Sequence, residues 1–252
     1  MIRIFMNGCC GRMGRVIGNM VKEYDDCEIV AGGDVITNVE GIDFPVFNDC
    51  RECDVDFDVI IDFSHFSAVP NVIELALNKK KPLVECTTAI PDETIEKLNE
   101  ASKIIPVFKS ANMSVGMNVL FELVRQATKA LYPGCDIEVV EAHHNRKLDA
   151  PSGTAMTIAD VIKGSIDGEM NLVFDRHSVS QKRQPNEIGM SAIRGGNIVG
   201  DHDVYFISDE ETVKISHSAH TRDVFGRGAI TAAKYVVGKE PGMYDMSSMI
   251  EI

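Results

Sequence analysis

The sequence predicts an α/β protein in which a parallel sheet covered by helices is followed by an α+β region with a mixed or antiparallel sheet. Three observations carry this. Short, partly β-branched apolar runs alternate with helical patterns over the first hundred residues, and a glycine-rich turn joins the first run to the first helix. From Ile188 onward, strand patterns follow one another without helices long enough to cross a parallel sheet.

In chain order, Ile2–Met6, Glu28–Ala31, Val59–Asp62, Pro82–Glu85 and Ile104–Phe108 read as strands. Arg12–Tyr24, Ala68–Lys79 and Asp92–Ser102 read as helices, the last opened by the turn signal Ile90-Pro91-Asp92. Repetition of strand, helix and strand places ligand sites beyond the carboxyl ends of the strands. Val115–Leu131 is a long helical pattern with Leu120, Leu123, Val124, Ala127 and Leu131 on one face, followed by the strand Ile137–Ala142. Thr154–Ile162 suits a helix, Ile188–Arg194, Val204–Ile207 and Thr212–Ser216 suit strands, and Phe225–Val237 is a last helix able to return to the first domain. No internal repeat or low-complexity segment is present.

A hydrophobic share of 44% with 25% charged residues fits a globular chain of one or two domains. The net charge of -13 opposes a role on nucleic acid or an anionic membrane surface, because phosphate binding needs clustered cations. No apolar run approaches a membrane span, and MIRIFMNG lacks the features of a secretory signal, so the expectation is a cytoplasmic protein. Seven cysteines, an odd number, argue for free thiols rather than a disulfide framework. Cys50-x-x-Cys53 is a lone pair in an acidic loop and cannot complete a four-ligand zinc site.

The turn MNGCCGRMGR follows the first strand and opens a helix, where backbone N–H groups can approach a pyrophosphate. Gly8, Gly11 and Gly14 supply the tight turn, although Cys10 and Met13 stand where a strict G-x-G-x-x-G, counted from Gly8, has glycine. Asp34 closes the second strand 20 residues after Gly14, where a carboxylate can accept from ribose hydroxyls. No lysine or arginine follows it until Arg51, so NADH is expected to bind better than NADPH, with Arg12 offering partial compensation for a 2′-phosphate. Cys86-Thr87-Thr88 and Ser110-Ala111-Asn112-Met113 put small polar residues at later strand ends, suited to a nicotinamide carboxamide.

A second site is expected in EAHHNRKLDAPSGTA, Glu141 to Ala155. His143 and His144 end a strand and start toward opposite faces, which disfavours a shared metal ion, and no metal centre is expected. A titratable imidazole with Lys147 nearby can deliver a proton and hold an anion. Pro151 stiffens a turn through Ser152, Gly153 and Thr154 into a helix whose first N–H groups favour carboxylates. The loop therefore suits a small compound that carries carboxylates and takes up a proton. A lyase or isomerase without redox chemistry, and a nucleotide-sensing regulator, are the rival readings.

That loop closely resembles the signature of the bacterial 4-hydroxy-tetrahydrodipicolinate reductase, or dihydrodipicolinate reductase, family. GCCGRMG, ECTTA, SANMSVGMNVLFEL and IRGGNIVGDH resemble other family segments. The resemblance implies a Rossmann-like nicotinamide-binding domain over 1–113 and 222–252, and an α+β domain over 114–221 that binds substrate and builds a homotetramer. It implies His143 as catalytic proton donor with Lys147 as partner acid, and His144, Ser152, Gly153 and Thr154 on the substrate carboxylates. It implies cofactor contacts from Gly8, Cys9, Cys10, Gly11, Arg12, Met13, Asp34, Cys86, Thr87, Thr88, Ser110, Ala111, Asn112 and Met113. Cys86 stands where the family usually has Gly and Met113 where it usually has Phe; Val35 stands where some members carry a basic residue for the 2′-phosphate. The implied reaction is reduction of a cyclic, imine-containing dicarboxylate once its hydroxyl has left as water, in lysine synthesis through diaminopimelate. Closure between the two domains is expected to assemble the site.

Overall fold

The computed structural model describes residues 1–37, 40–178 and 180–250. The chain opens with β1 (Ile2–Asn7), α1 (Arg12–Val21), β2 (Cys27–Gly33) and a short β3 (Val46–Phe47). A 3-10 turn at Cys50–Glu52 precedes β4 (Val59–Asp62), α2 (Val69–Lys79), β5 (Leu83–Glu85), α3 (Asp92–Ser102) and β6 (Pro106–Lys109). Next come α4 (Val115–Leu131), β7 (Asp136–His143), α5 (Gly153–Lys163), β8 (Asn171–Phe174), β9 (Glu187–Arg194), β10 (Gly200–Ile207) and β11 (Thr212–Ala219). The chain ends with α6 (Asp223–Val236), β12 (Gly242–Tyr244) and α7 (Met246–Met249). No helix among the described residues is long and apolar enough to cross a membrane.

Two compact units result: Met1–Val115 joined by the stretch from Arg222 onward, and Gly116–Thr221. Residues 251 and 252, part of the first domain in the sequence reading, lie outside the described residues.

The first unit holds a seven-stranded parallel sheet in the order β12-β6-β5-β4-β1-β2-β3. Along β4, Val59 and Ile61 enter the core shared with α1 and α6, whereas Ile60 enters the core shared with α2 and α3. The period of two thus fills both faces, which is why these strands read as short unbroken apolar runs. Because all seven run the same way, every carboxyl end lies along one edge, and the segments after β1, β2, β5 and β6 emerge there. α6 packs against α1 and against β4, β5 and β6. Its small residues let it lie close: a Cβ on Gly228 would stand 1.7 Å from the Met113 carbonyl oxygen.

The second unit holds a mixed sheet in the order β11-β10-β7-β9-β8. β10 pairs antiparallel with β7 and β11, whereas β9 runs parallel to β7 and β8. Ile137 and Val139 of β7 meet Leu120, Phe121 and Val124 of α4 and Ile158 and Ile162 of α5 on one face. The buried stripe of α4 is Met117, Leu120, Phe121, Val124 and Thr128, so the apolar face is rotated from the expected one and Leu123 is 43% exposed. The rotation follows the helical period of 3.6, which puts Met117, Leu120, Phe121 and Val124 together at i, i+3, i+4 and i+7.

Packing at Gly228 gives a direct test. Gly228→Ala should destabilise the protein by about 1–3 kcal/mol or more, because the added methyl meets backbone. Gly18→Ala, in the interior of α1 with nothing within 4 Å of the new Cβ, should instead stabilise it by about 0.4–1 kcal/mol. Urea midpoints of the two variants measure this, and equal shifts of one sign would contradict the close approach.

Candidate active site

At the carboxyl edge of the parallel sheet, Gly8 adopts φ +77°, and a Cβ there would lie 2.5 Å from the Phe63 carbonyl oxygen. A Cβ on Gly14 would lie 2.2 Å from the Gly8 carbonyl, so the turn from Gly8 to Met13 closes this tightly only with glycine at both positions. No side chain caps α1 at Gly11, which leaves the positive end of the helix facing outward from the turn. Asp34 follows β2 and accepts from the Cys10 N–H (2.9 Å) and the Ile36 N–H (3.2 Å). The carboxylate is thereby fixed beside the glycine turn, each oxygen keeping acceptor capacity for a hydroxyl. Cys9 is buried, Cys10 half-buried and Arg12 exposed.

Cys86, Thr87 and Thr88 follow β5, and Ser110 to Met113 follow β6, so the structure brings the whole expected nucleotide set to one edge of one sheet. Ser110 Oγ donates to the Asn112 carbonyl (3.1 Å) and the Ser114 N–H donates to Asn112 Oδ1 (2.8 Å). Two buried carboxyls that the sequence reading did not single out lie beneath: Asp62 and Glu85 end adjacent strands in register. Asp62 Oδ1 accepts from Asn7 Nδ2 (2.9 Å) and the Ser64 N–H (3.0 Å), and Glu85 Oε1 accepts from the Thr87 N–H (2.7 Å). Burial pushes both carboxyls up, and the neighbouring Asp62 pushes Glu85 further.

The second unit carries the histidine loop. β7 alternates, so Glu141 and His143 both face the helix-covered side, at the end where the apolar core stops. His143 Nδ1 lies 2.6 Å from Glu141 Oε2. Arg194, opposite His143 on β9, grips both oxygens of Glu141 at 2.7 Å, and the Ser152 N–H donates to Glu141 Oε1 at 3.0 Å. Burial alone would raise the Glu141 pKa, but the hydrogen bonds from Arg194, His143 and Ser152 together hold it below the ordinary carboxylate range. An ionised carboxylate only accepts, so His143 Nδ1 carries the proton of this bond. Its Nε2 is then the nitrogen that can exchange a proton with a ligand, and it faces Gly200, where a Cβ would lie 3.1 Å away.

His202, opposite Glu141 on β10, stacks edge-on to His143 with ring centroids 5.3 Å apart. Its Nε2 lies 3.2 Å from Ser152 Oγ, which also accepts the Ala155 N–H as N-cap of α5. Burial, with the neighbouring His143, pushes the His202 pKa down to about 4, so this ring is neutral near pH 7. Lys147 pairs with Asp149 at 2.9 Å, while the Asp149 carbonyl accepts from Arg194 Nη2 at 2.6 Å, tying the loop to the same arginine. Gly153 is exposed at the first turn of α5 with open space where a Cβ would stand, and Thr154 follows it half-buried. His143, Lys147, Ser152, Gly153 and Thr154 thus gather around one end of the mixed sheet, with half-buried His144 just beyond β7.

Glu141, Arg194 and His202 were not among the expected site residues. The spacing of two between Glu141 and His143 on a strand was a usable signal for the first. The other two come from strands fifty or more residues on and depend on pairing. Cys50 and Cys53 are both buried, burial pushes the Cys50 thiol up to about 12, and Cys53 Sγ contacts the Val55 carbonyl.

A parallel sheet with a glycine turn, an acidic residue after its second strand and a polar carboxyl edge defines a dinucleotide-binding domain of the Rossmann class. Residues 2–113 match the family described as "Dihydrodipicolinate reductase, N-terminus" and residues 116–250 the one described as "Dihydrodipicolinate reductase, C-terminus". The chain belongs to the dihydrodipicolinate reductase family and is an NAD(P)H-dependent oxidoreductase. It is 48% identical over 251 residues to the 4-hydroxy-tetrahydrodipicolinate reductase of Caldanaerobacter subterraneus subsp. tengcongensis, covering 100% of this chain and 99% of that protein. It is 46% identical to the protein of the same name from Clostridium tetani, covering 99% of this chain and 97% of the relative. Its fold matches the dipicolinate-bound dihydrodipicolinate reductase of Paenisporosarcina sp. TG-14 with a TM-score of 0.82 at 22% identity, over 100% of both chains.

Glu141→Gln should cost about 3–5 kcal/mol near pH 7, because the Arg194 guanidinium loses its counter-charge. The folded-state pKa of Glu141 is depressed, so its contribution is present above the unfolded value near 4.3 and lost as pH falls through the lower folded value. The stability gap between wild type and variant should therefore shrink as pH drops below about 4. A gap independent of pH in urea titrations would show that the carboxylate is not held ionised.

Proposed function

We propose that this chain reduces (2S,4S)-4-hydroxy-2,3,4,5-tetrahydrodipicolinate to (S)-2,3,4,5-tetrahydrodipicolinate with loss of water, in lysine biosynthesis through diaminopimelate. The observation that carries this is the chain Arg194–Glu141–His143 beside the first turn of α5, a proton-delivering imidazole next to an anion-binding helix end. The names of the relatives and the dipicolinate-bound neighbour support a small dicarboxylate as the substrate.

In this reading His143 Nε2 delivers the proton, with Lys147 as partner acid and a positive charge near the developing electron density. Gly153 and Thr154 receive one substrate carboxylate at the N-terminus of α5, where the dipole favours negative charge, and Ser152 and His144 complete the carboxylate contacts. Glu141 keeps the imidazole in one tautomer and orientation, as a carboxylate behind a catalytic histidine does elsewhere.

The glycine turn fits a dinucleotide, because added Cβ atoms at Gly8 and Gly14 would close the cradle against backbone. The turn from Gly8 to Met13, including Cys9, Cys10, Gly11 and Arg12, holds the pyrophosphate, and Asp34 takes the adenosine ribose. Cys86, Thr87 and Thr88 with Ser110, Ala111, Asn112 and Met113 hold the nicotinamide end. Reduced nicotinamide supplies the hydride when bound. NADH is preferred and NADPH accepted more poorly, since Asp34 repels a 2′-phosphate and no cation follows it until Arg51. Residues 1–113 and 222–252 form the dinucleotide domain, and residues 114–221 the substrate domain, which also builds a cytoplasmic homotetramer. Both helices of the second unit pack on one face of its sheet, and Ile193 on the other face is 53% exposed, which suits that face for subunit contact.

Loss of NADH absorbance with freshly generated substrate tests the reading. His143→Ala should lower kcat by about 100-fold or more, and Thr154→Ala should raise KM for the substrate by about five- to tenfold. The wild type should show a higher kcat/KM with NADH than with NADPH. Unchanged turnover in both variants would overturn the site assignment, and an NADPH advantage would overturn the role of Asp34.

A further inference from the structure

The glycine turn carries two thiols in addition to the backbone N–H groups that face a pyrophosphate. Cys9 and Cys10 are adjacent in sequence, and their sulfurs lie 3.8 Å apart. With a carboxylate oxygen of Asp34 they form a group of three donor atoms that all lie within 4.8 Å of one another. We propose that Cys9, Cys10 and Asp34 form a binding site for a thiophilic divalent cation such as zinc or cadmium, and that an ion held there excludes the nucleotide.

Geometry supports the donor set. In a tetrahedral zinc site with Zn–S bonds of ~2.3 Å, two sulfurs stand about 3.8 Å apart. The two cysteine sulfurs already have that separation, so no backbone rearrangement is needed to bring them onto one ion. Two thiolates and a carboxylate are a suitable soft-plus-hard set for zinc, and the fourth position is left to water. The donors are also held in place. The Cys10 N–H donates to Asp34 Oδ2, which ties the carboxylate to the cysteine turn. Gly32 makes room for the first sulfur, since a Cβ there would stand 2.7 Å from Cys9 Sγ.

Cys9 is only 3% exposed, whereas Cys10 and Asp34 are half-exposed, so the donor set opens to solvent on their side of the turn.

Binding is an exchange of one cation for two protons: both thiols lose their S–H protons to solvent and both sulfurs donate to the metal, with no change of oxidation state. Because two protons leave for each ion bound, the affinity rises with pH. The ion occupies acceptor positions of Asp34 and lies against the turn. Metal and NADH are thus mutually exclusive; this last point rests on the assignment of Asp34 and the turn to the cofactor, whereas the metal site does not.

The test uses Co2+ as a spectroscopic stand-in for zinc, titrated anaerobically into the full-length, metal-free chain. The expected result is one equivalent bound with sulfur-to-cobalt charge-transfer absorption from two thiolates, tetrahedral d–d bands, and release of two protons per ion. Zn2+ should bleach the spectrum. Cys10→Ala and Cys10→Ser should each weaken Co2+ binding at least tenfold and lose about half of the charge-transfer intensity per bound ion, and Asp34→Asn should weaken binding while keeping the sulfur bands. Circular dichroism checks that each variant is folded. Absence of sulfur-to-cobalt absorption in the wild type, or an unchanged spectrum and affinity in the Cys10 variants, overturns the site. Saturating NADH should weaken Co2+ binding at least tenfold; a normal spectrum that NADH leaves untouched, although NADH binding is itself measurable, retains the metal site and overturns the mutual exclusion.

Discussion

A fully buried carboxylate that four donors close upon organises the second unit. Glu141 is 1% exposed, and an unpaired charge in that position would cost several kcal/mol. Two donors come from Arg194 on β9, one from His143 on β7 and one from the Ser152 N–H ahead of α5. Satisfying one side chain therefore fixes the β7–β9 register, the start of α5 and the orientation of the imidazole together. A slip of one residue in β9 would turn Arg194 to the opposite face and leave Glu141 without its counter-charge. Chemistry and fold share this interaction: what keeps the carboxylate ionised also settles which imidazole nitrogen is available to a ligand.

The first unit solves a related problem differently. Its parallel strands bury both faces, so polar groups collect where the strands end and the apolar cores run out. Asn7, Asp62 and Glu85 form one register row across β1, β4 and β5, all buried: Asn7 donates to Asp62, and Asp62 and Glu85 accept from backbone N–H groups of the segments that follow them. Here burial pushes both carboxyls up, and the neighbouring Asp62 pushes Glu85 further. The contrast is physical. A carboxylate facing a guanidinium stays ionised, whereas two carboxyls side by side in a low-dielectric site favour the protonated form.

Much of this was legible in the sequence because it is local. Strands β1, β4 and β5 are short apolar runs, the glycine turn is contiguous, and the loop from Glu141 to Ala155 places its residues within one stretch. Features that depend on pairing were not. β10 begins at Gly200 rather than Val204, because its first residues, Gly-Asp-His-Asp, lack an apolar alternation; they form strand only by pairing with β7 and β11. His202 sits in that part. Arg194 is separated from Glu141 by 53 residues, and nothing local marks it as a clamp. β3 and β12, of two and three residues, are too short for periodicity to register. On α4 the apolar residues outnumber one face, so the pattern alone does not distinguish exposed Leu123 from Met117 and Phe121, which are buried.

The claim on which the account turns is that Glu141 stays ionised and holds the Nδ1 proton of His143, leaving Nε2 to meet a ligand. Nitrogen-15 NMR of the histidine side chains, with His143 assigned by a His143→Asn comparison, reads the tautomer directly. Neutral His143 should carry its proton on Nδ1, with an unprotonated Nε2. A neutral ring protonated on Nε2, with Nδ1 bare against Glu141, would contradict it.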